Sequence, residues 1–205
     1  MKKIRLLTLV AVSVLMGSTV KAQIQKGNIM VGANLTNLNV TFQKESTAFS
    51  FNLSPKIGWF IKDGLAIGGY VDFGANTTKN KVTDTRASNT NYGVGVFARY
   101  FVEDKNVRKL EFSKRVRFFA EANAGFAGQN PASGASTNGF NVGIGPGISY
   151  FITPNVGLEG LVKYDLTVGG GNSTTANRIS LGVGFQIYLP SAKAKAIYKE
   201  ERGGK

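Results

Sequence analysis

From Phe49 to Ile61 the chain alternates almost without a break. Phe49, Phe51, Leu53, Pro55, Ile57, Trp59 and Ile61 fall on one face, and Ser50, Asn52, Ser54, Lys56, Gly58 and Phe60 on the other. A period of two is that of a β-strand with two unlike surroundings. Strands of soluble proteins usually run to about 5–6 residues. A strand of this length matches the roughly 9–11 tilted residues that cross a bilayer.

Eight segments carry the pattern: Ile29–Phe42, Phe49–Ile61, Leu65–Gly74, Tyr92–Tyr100, Val116–Phe126, Phe140–Tyr150, Leu158–Val168 and Arg178–Ile187. In the first, the apolar phase slips between Leu35 and Leu38, which predicts a β-bulge. Pro55 and Pro146 fall mid-strand, where each removes a ladder donor, and local bulges are expected there too. The connections Lys62–Gly64 and Thr153–Asn155 have turn chemistry. Those on the other side, such as Thr77–Thr90, Gln129–Gly139 and Gly169–Ala176, are longer and polar. Glu103–Arg115 breaks this rule, being long and charged on the short-turn side. Apart from it, the layout is that of a barrel in an outer membrane.

Alternation also fits a soluble, ligand-carrying barrel with its apolar face inward. Three features favour the apolar face outward, toward lipid. Aromatic residues bracket that face eight or ten positions apart: Phe49 and Trp59, Tyr92 and Tyr100, Phe118 and Phe126, Phe140 and Tyr150. At about 3.3 Å per residue and a tilt near 40°, each bracket spans roughly 20–25 Å, the height of a lipid band with its girdles. The opposite face is rich in Gly, Ser and Asn with isolated charges, which suits a narrow lumen. All eight segments keep the apolar face, as closure in lipid demands. The expected fold is an all-β, closed, antiparallel up-and-down transmembrane barrel of eight strands.

Residues 1–22 have the makeup of an export leader. Lys2, Lys3 and Arg5 precede an apolar run from Leu6 to Met16, and Val20-Lys21-Ala22 is small at the −3 and −1 positions. The run is too short to span a bilayer as a helix. No Cys follows the cleavage site, which excludes a lipoprotein anchor. The barrel then occupies 23–189, and 190–205 form a basic periplasmic tail. The chain has 25 basic and 12 acidic residues; four basic ones leave with the leader, and a formal charge of +9 remains. The charges are dispersed along alternating strands and the chain is exported. Outer-membrane lipid is therefore the expected partner, and nucleic acid is not.

The lumen face carries Lys56, Asp72, Arg99, Arg117, Glu121, Glu159, Lys163, Asp165 and Arg178, nearly balanced in sign. A wide selective pore tends to one sign. A balanced set inside eight strands predicts ion pairs that plug the core, because unpaired buried charges cost several kcal/mol each. Candidate pairs are Arg99–Glu121, Arg117–Glu159 and Lys163–Asp165. Direct pairing of Tyr100 with Phe118 would place Glu121 one diagonal step from Arg99. A narrow passive pore is the alternative for the same lumen. The glycines of Gly93-Val-Gly95 and Gly143-Ile-Gly145-Pro-Gly147 alternate within strands, unlike a phosphate loop, which needs a strand-to-helix turn. The chain has no His and no Cys. It therefore lacks a His general base and a His/Cys metal cluster, and no enzyme activity, catalytic residue or cofactor is expected.

The leader, the eight amphipathic strands and the last strand resemble the small eight-stranded outer-membrane barrels, the OmpA/OmpX-like β-barrel domain. The last strand, Ser180-Leu-Gly182-Val-Gly-Phe185-Gln-Ile187, is similar to the signal read by the barrel-assembly machinery. The family usually ends at an aromatic residue, whereas this chain continues from Pro190 to Lys205. The resemblance implies a monomer with both termini in the periplasm. It also implies the assembly machinery as a partner in biogenesis, and a structural or surface-contact role with a periplasmic or surface partner of unspecified identity. A secretion accessory of PorT-like type shares the fold class and is a further alternative.

Overall fold

The computed structural model describes residues 24–102, 115–133, 136–170 and 175–190. The leader, most of the 103–115 connection and the tail from 191 lie outside these residues. Eight strands follow in chain order: β1 (Ile29–Phe42), β2 (Ser46–Lys62), β3 (Leu65–Asn80), β4 (Arg86–Val102), β5 (Val116–Asn130), β6 (Thr137–Thr153), β7 (Val156–Gly170) and β8 (Thr175–Leu189). Each pairs antiparallel with the next, and β8 closes on β1.

The register fixes the tilt. Direct partners traced from Val31 pass through Ile57, Gly69, Val96, Ala124, Val142 and Leu166 to Asn177. The β8 partner of Val31 itself is Ile187, ten residues further along. A stagger of ten over eight strands requires a tilt of about 35–45° and leaves an interior just wide enough for side chains. Val31, Ile57, Val71, Val94, Ile144, Val162 and Val183 lie exposed on the outside. Lys56, Arg99, Glu121, Asn123, Glu159 and Gln186 are buried inside, so the soluble barrel with an apolar lumen is excluded.

The strands on the loop side run further than their apolar alternation. β3 continues to Asn80 and β4 starts at Arg86, with Lys79 facing Arg86, so most of the Thr77–Thr90 stretch is paired strand. Above the lipid both faces of a hairpin are wet, and the two-residue pattern has no reason to persist.

The register of β1 against β2 shifts between Thr36 and Asn39, at the predicted slip, and Asn37 has φ 55°. Asn is one of the few residues that enter this left-handed region readily. The prolines behave differently from expectation, because neither produces a bulge. Pro55 faces Ala33 and Pro146 faces Ala120 in unbroken register. On the other side the β2–β3 ladder skips from Leu53 to Lys56 and the β6–β7 ladder from Ile144 to Gly147, again without a shift. In an antiparallel ladder a residue directs its N–H and C=O to one neighbour. Each proline turns its missing donor to one strand and leaves a two-residue gap there, with no extra residue to bulge.

Candidate functional site

The short-turn end of the lumen is filled by aromatic rings. Phe60, Phe101, Phe119, Phe151 and Tyr188 point inward and are buried. Phe101 and Phe119 lie 5.5 Å apart between centroids, Phe151 and Tyr188 5.1 Å, and Phe60 and Tyr188 6.1 Å. Ile24 joins this floor, held where the Gly64 N–H donates to its carbonyl at 2.8 Å. Face alternation alone did not single these residues out. Their signal is an aromatic or apolar pair at the end of the strand: Trp59-Phe60, Tyr100-Phe101, Phe118-Phe119, Tyr150-Phe151 and Ile187-Tyr188. One member of each pair faces out and the other fills the lumen.

On the floor rests a connected set of buried charges. Arg99 donates from Nη2 to Glu121 Oε2 at 2.6 Å and from Nε to the same oxygen at 2.9 Å. Its Nη1 reaches Glu159 Oε1 at 2.7 Å. Lys56 Nζ donates to Glu121 Oε1 at 2.8 Å from across the lumen, and the Tyr188 hydroxyl donates to Glu159 Oε1 at 2.8 Å. Two cations and two carboxylates sum to zero. Each ion is also hydrogen bonded, which is what makes burial of charge tolerable. The Arg99 guanidinium stacks 4.0 Å from the Phe119 ring centre, and Lys56 lies 5.1 Å from that of Phe97. Phe119 has room because its register neighbour on β6 is Gly147, where a methyl group would meet the ring.

The expected partners are partly rearranged. Tyr100 faces Ala120 and Phe118 faces Val102, so Arg99 stands directly opposite Glu121, not diagonally. Glu159, expected with Arg117, takes Arg99. Arg117 sits at the short-turn mouth and donates to the Val116 carbonyl at 2.7 Å. Lys163 Nζ lies 3.2 Å from Asp165 Oδ1. Asp72 accepts from the Ser54 hydroxyl. Arg178 is exposed on the loop side of the lumen. Of the bracketing aromatics, Phe49, Trp59, Tyr92, Tyr100, Phe118, Phe126 and Phe140 are exposed, and Tyr150 is half-buried.

Above the ion layer lies a polar well of about 90 Å3. Lys56 and Glu121 form its base, Tyr70, Asn123 and Lys163 its walls, and Asn52, Asn141 and Arg178 its rim. Asn123 donates to the Tyr70 hydroxyl and to Asn141 Oδ1, both at 3.0 Å. Its own Oδ1 is buried and accepts no hydrogen bond within the described residues. Among the described residues no group of three or more His, Cys, Asp or Glu is placed to hold a metal.

A closed eight-stranded barrel, apolar outside and charged within, is a membrane-spanning barrel of the outer-membrane type. Residues 7–189 match the outer membrane protein beta-barrel domain, and the chain belongs to that family of the bacterial outer membrane. No curated protein matches it closely enough to add to this. Among solved structures it resembles the outer membrane protein OprG from Pseudomonas aeruginosa at 11% identity and a TM-score of 0.50, over 83% of this chain and 100% of that one. Neisserial surface protein A is similar at 17% identity and a TM-score of 0.47, over 79% and 99%. The resemblance to OprG carries the fold alone.

Proposed function

We propose that this barrel has a structural and surface-contact role, with a lumen closed to steady ion flow. The observation that carries the reading is the neutral network of Lys56, Glu121, Arg99 and Glu159 seated on the aromatic floor. An ion passing along the axis would have to part those pairs in a low-dielectric interior and then displace the rings. The reading includes export by the leader, both termini in the periplasm, longer loops at the cell surface, a monomer in lipid, and no catalytic step. The absence of His and Cys supports the last. The test is a planar-bilayer recording of the purified protein. Electrical silence is expected, and a large steady conductance would defeat the reading. The same recording decides the second reading, a narrow passive pore, which the polar well above the ion layer favours.

A further inference from the structure

The wall of the well is incomplete at one seam. β1 and β8 pair only from Ile29 with Leu189 to Thr36 with Gly182. Beyond that point β1 continues to Phe42 and β8 begins at Thr175, both held only by their other neighbours. The parting coincides with the Asn37 bulge, beyond which β1 stays paired with β2 in a shifted register while its pairing with β8 has ended. Thr36, Ser180 and Arg178, at the foot and along the inner side of the parting, line the well. On the outer side stand Leu38, Val40, Ile179 and Leu181, all exposed. The slot is therefore polar within and apolar without, and its unpaired backbone can be wetted from the well, the condition under which such backbone is tolerated at membrane depth.

The charges beside the slot select the head of an occupant. Lys56 is held by Glu121, Lys163 by Asp165, and Asp72 by Ser54. Arg178 makes no hydrogen bond or ion pair within the described residues. Its direct partner on β7, Asp165, is the carboxylate that Lys163 holds. A guanidinium at the edge of a slot is matched by a carboxylate, which it can grip with two parallel hydrogen bonds. An apolar strip one seam wide suits one alkyl chain.

We infer that the β1–β8 seam admits a single-chain, long-chain carboxylate from the lipid. Its head meets Arg178 at the rim of the well, and its tail lies across Leu181 and Ile179. This goes beyond the closed-lumen reading and rests on it for the leaflet that the slot faces and for the block beneath the well. The ion layer and aromatic floor would stop the ligand from passing through, so it is held and not conducted.

The experiment uses the purified protein in phosphatidylcholine nanodiscs, with stearate carrying a nitroxide near its head as the probe. Trp59 is the one tryptophan and lies at the far end of β2. In a Trp59→Phe/Ile179→Trp variant the introduced indole reports the seam, and Trp59 in the unchanged protein reports bulk lipid. Quenching at the seam should saturate at probe levels that leave Trp59 bright. Unlabelled stearate should reverse it, and octadecanol and acetate should not. Arg178→Gln should raise the half-saturating probe level roughly tenfold or more, the loss of one charge-assisted pair. Arg178→Lys, which keeps the charge, should recover most of that loss. Equal quenching at both indoles, equal competition by octadecanol, or no effect of Arg178→Gln would overturn the inference. So would a loss that Arg178→Lys fails to recover, because it would mean that β8 itself had been damaged.

Discussion

Arg99 and Glu121 face each other directly across β4 and β5, and Glu121 Oε2 accepts from both Nη2 and Nε of the same guanidinium. Arg99 is also the hinge of the ion layer, because its remaining nitrogen reaches Glu159 on β7. Three strands and both sides of the lumen are thereby joined through one side chain.

Arg99→Ala should therefore destabilise the barrel by about 3–5 kcal/mol, the usual cost of leaving buried charge uncompensated. Glu121 would keep Lys56, and Glu159 the Tyr188 hydroxyl. The double change Arg99→Ala/Glu121→Ala should cost less than the two single losses added together, because it removes one cation and one carboxylate at once and leaves Lys56 and Glu159 balanced in charge. Reversible unfolding in lipid by urea, followed through Trp59 fluorescence, gives all the terms. Simple additivity would show that the pair is not coupled.

Ion layer and floor block the lumen in series. Arg99→Ala alone should stay electrically silent, since Phe101, Phe119 and Tyr188 remain in place. Phe101→Ala/Tyr188→Ala should also be silent, held by the ions. The three changes combined should give a steady conductance in planar bilayers. A current through Arg99→Ala alone would place the whole barrier in the charges.

Asn37 holds φ 55° at the β1 bulge. A β-branched residue there should cost roughly 1–2 kcal/mol, as left-handed backbone does for residues other than Gly, Asn and Asp. Asn37→Val should lose that much in urea unfolding, and Asn37→Gly should lose little. Equal loss in both would mean that the Asn side chain matters and not its backbone.

β3 and β4 are joined through Lys81–Thr85 and β5 and β6 through residues 131–136, while Asp63 and Asn155 sit in two-residue turns at the other end. Epitope insertions at Thr83 and Ser133 should be stained on intact cells. Insertions at Asp63 or Asn155 should be stained only after permeabilisation. The opposite pattern would invert the proposed orientation.

Much of this architecture follows from neighbours along the chain. Alternation is a local property, since successive side chains of a strand must face opposite ways. Seven apolar positions between Phe49 and Ile61 are thus enough to define a strand, a face and a membrane-scale length. The slip at Leu35–Leu38 is local too, and the bulge lies there. Lys56, Glu121, Arg99 and Glu159 could be assigned to the lumen face in the same way, without any knowledge of which strands adjoin.

Partner choice was not local. The Lys56–Glu121 contact spans the barrel and 65 positions of sequence. The preference of Glu159 for Arg99 depends on how far eight strands stagger around a closed circle, a sum that no single strand contains. A two-residue change of register moved Glu121 from a diagonal position to one opposite Arg99. The prolines show the same division. Their missing donor is written in the sequence, but closure and register decided which neighbour would lose it, and neither strand had an extra residue with which to bulge. The parting of β1 from β8 belongs with these. The sequence carries the bulge, and only the closed barrel reveals that pairing with the last strand ends there.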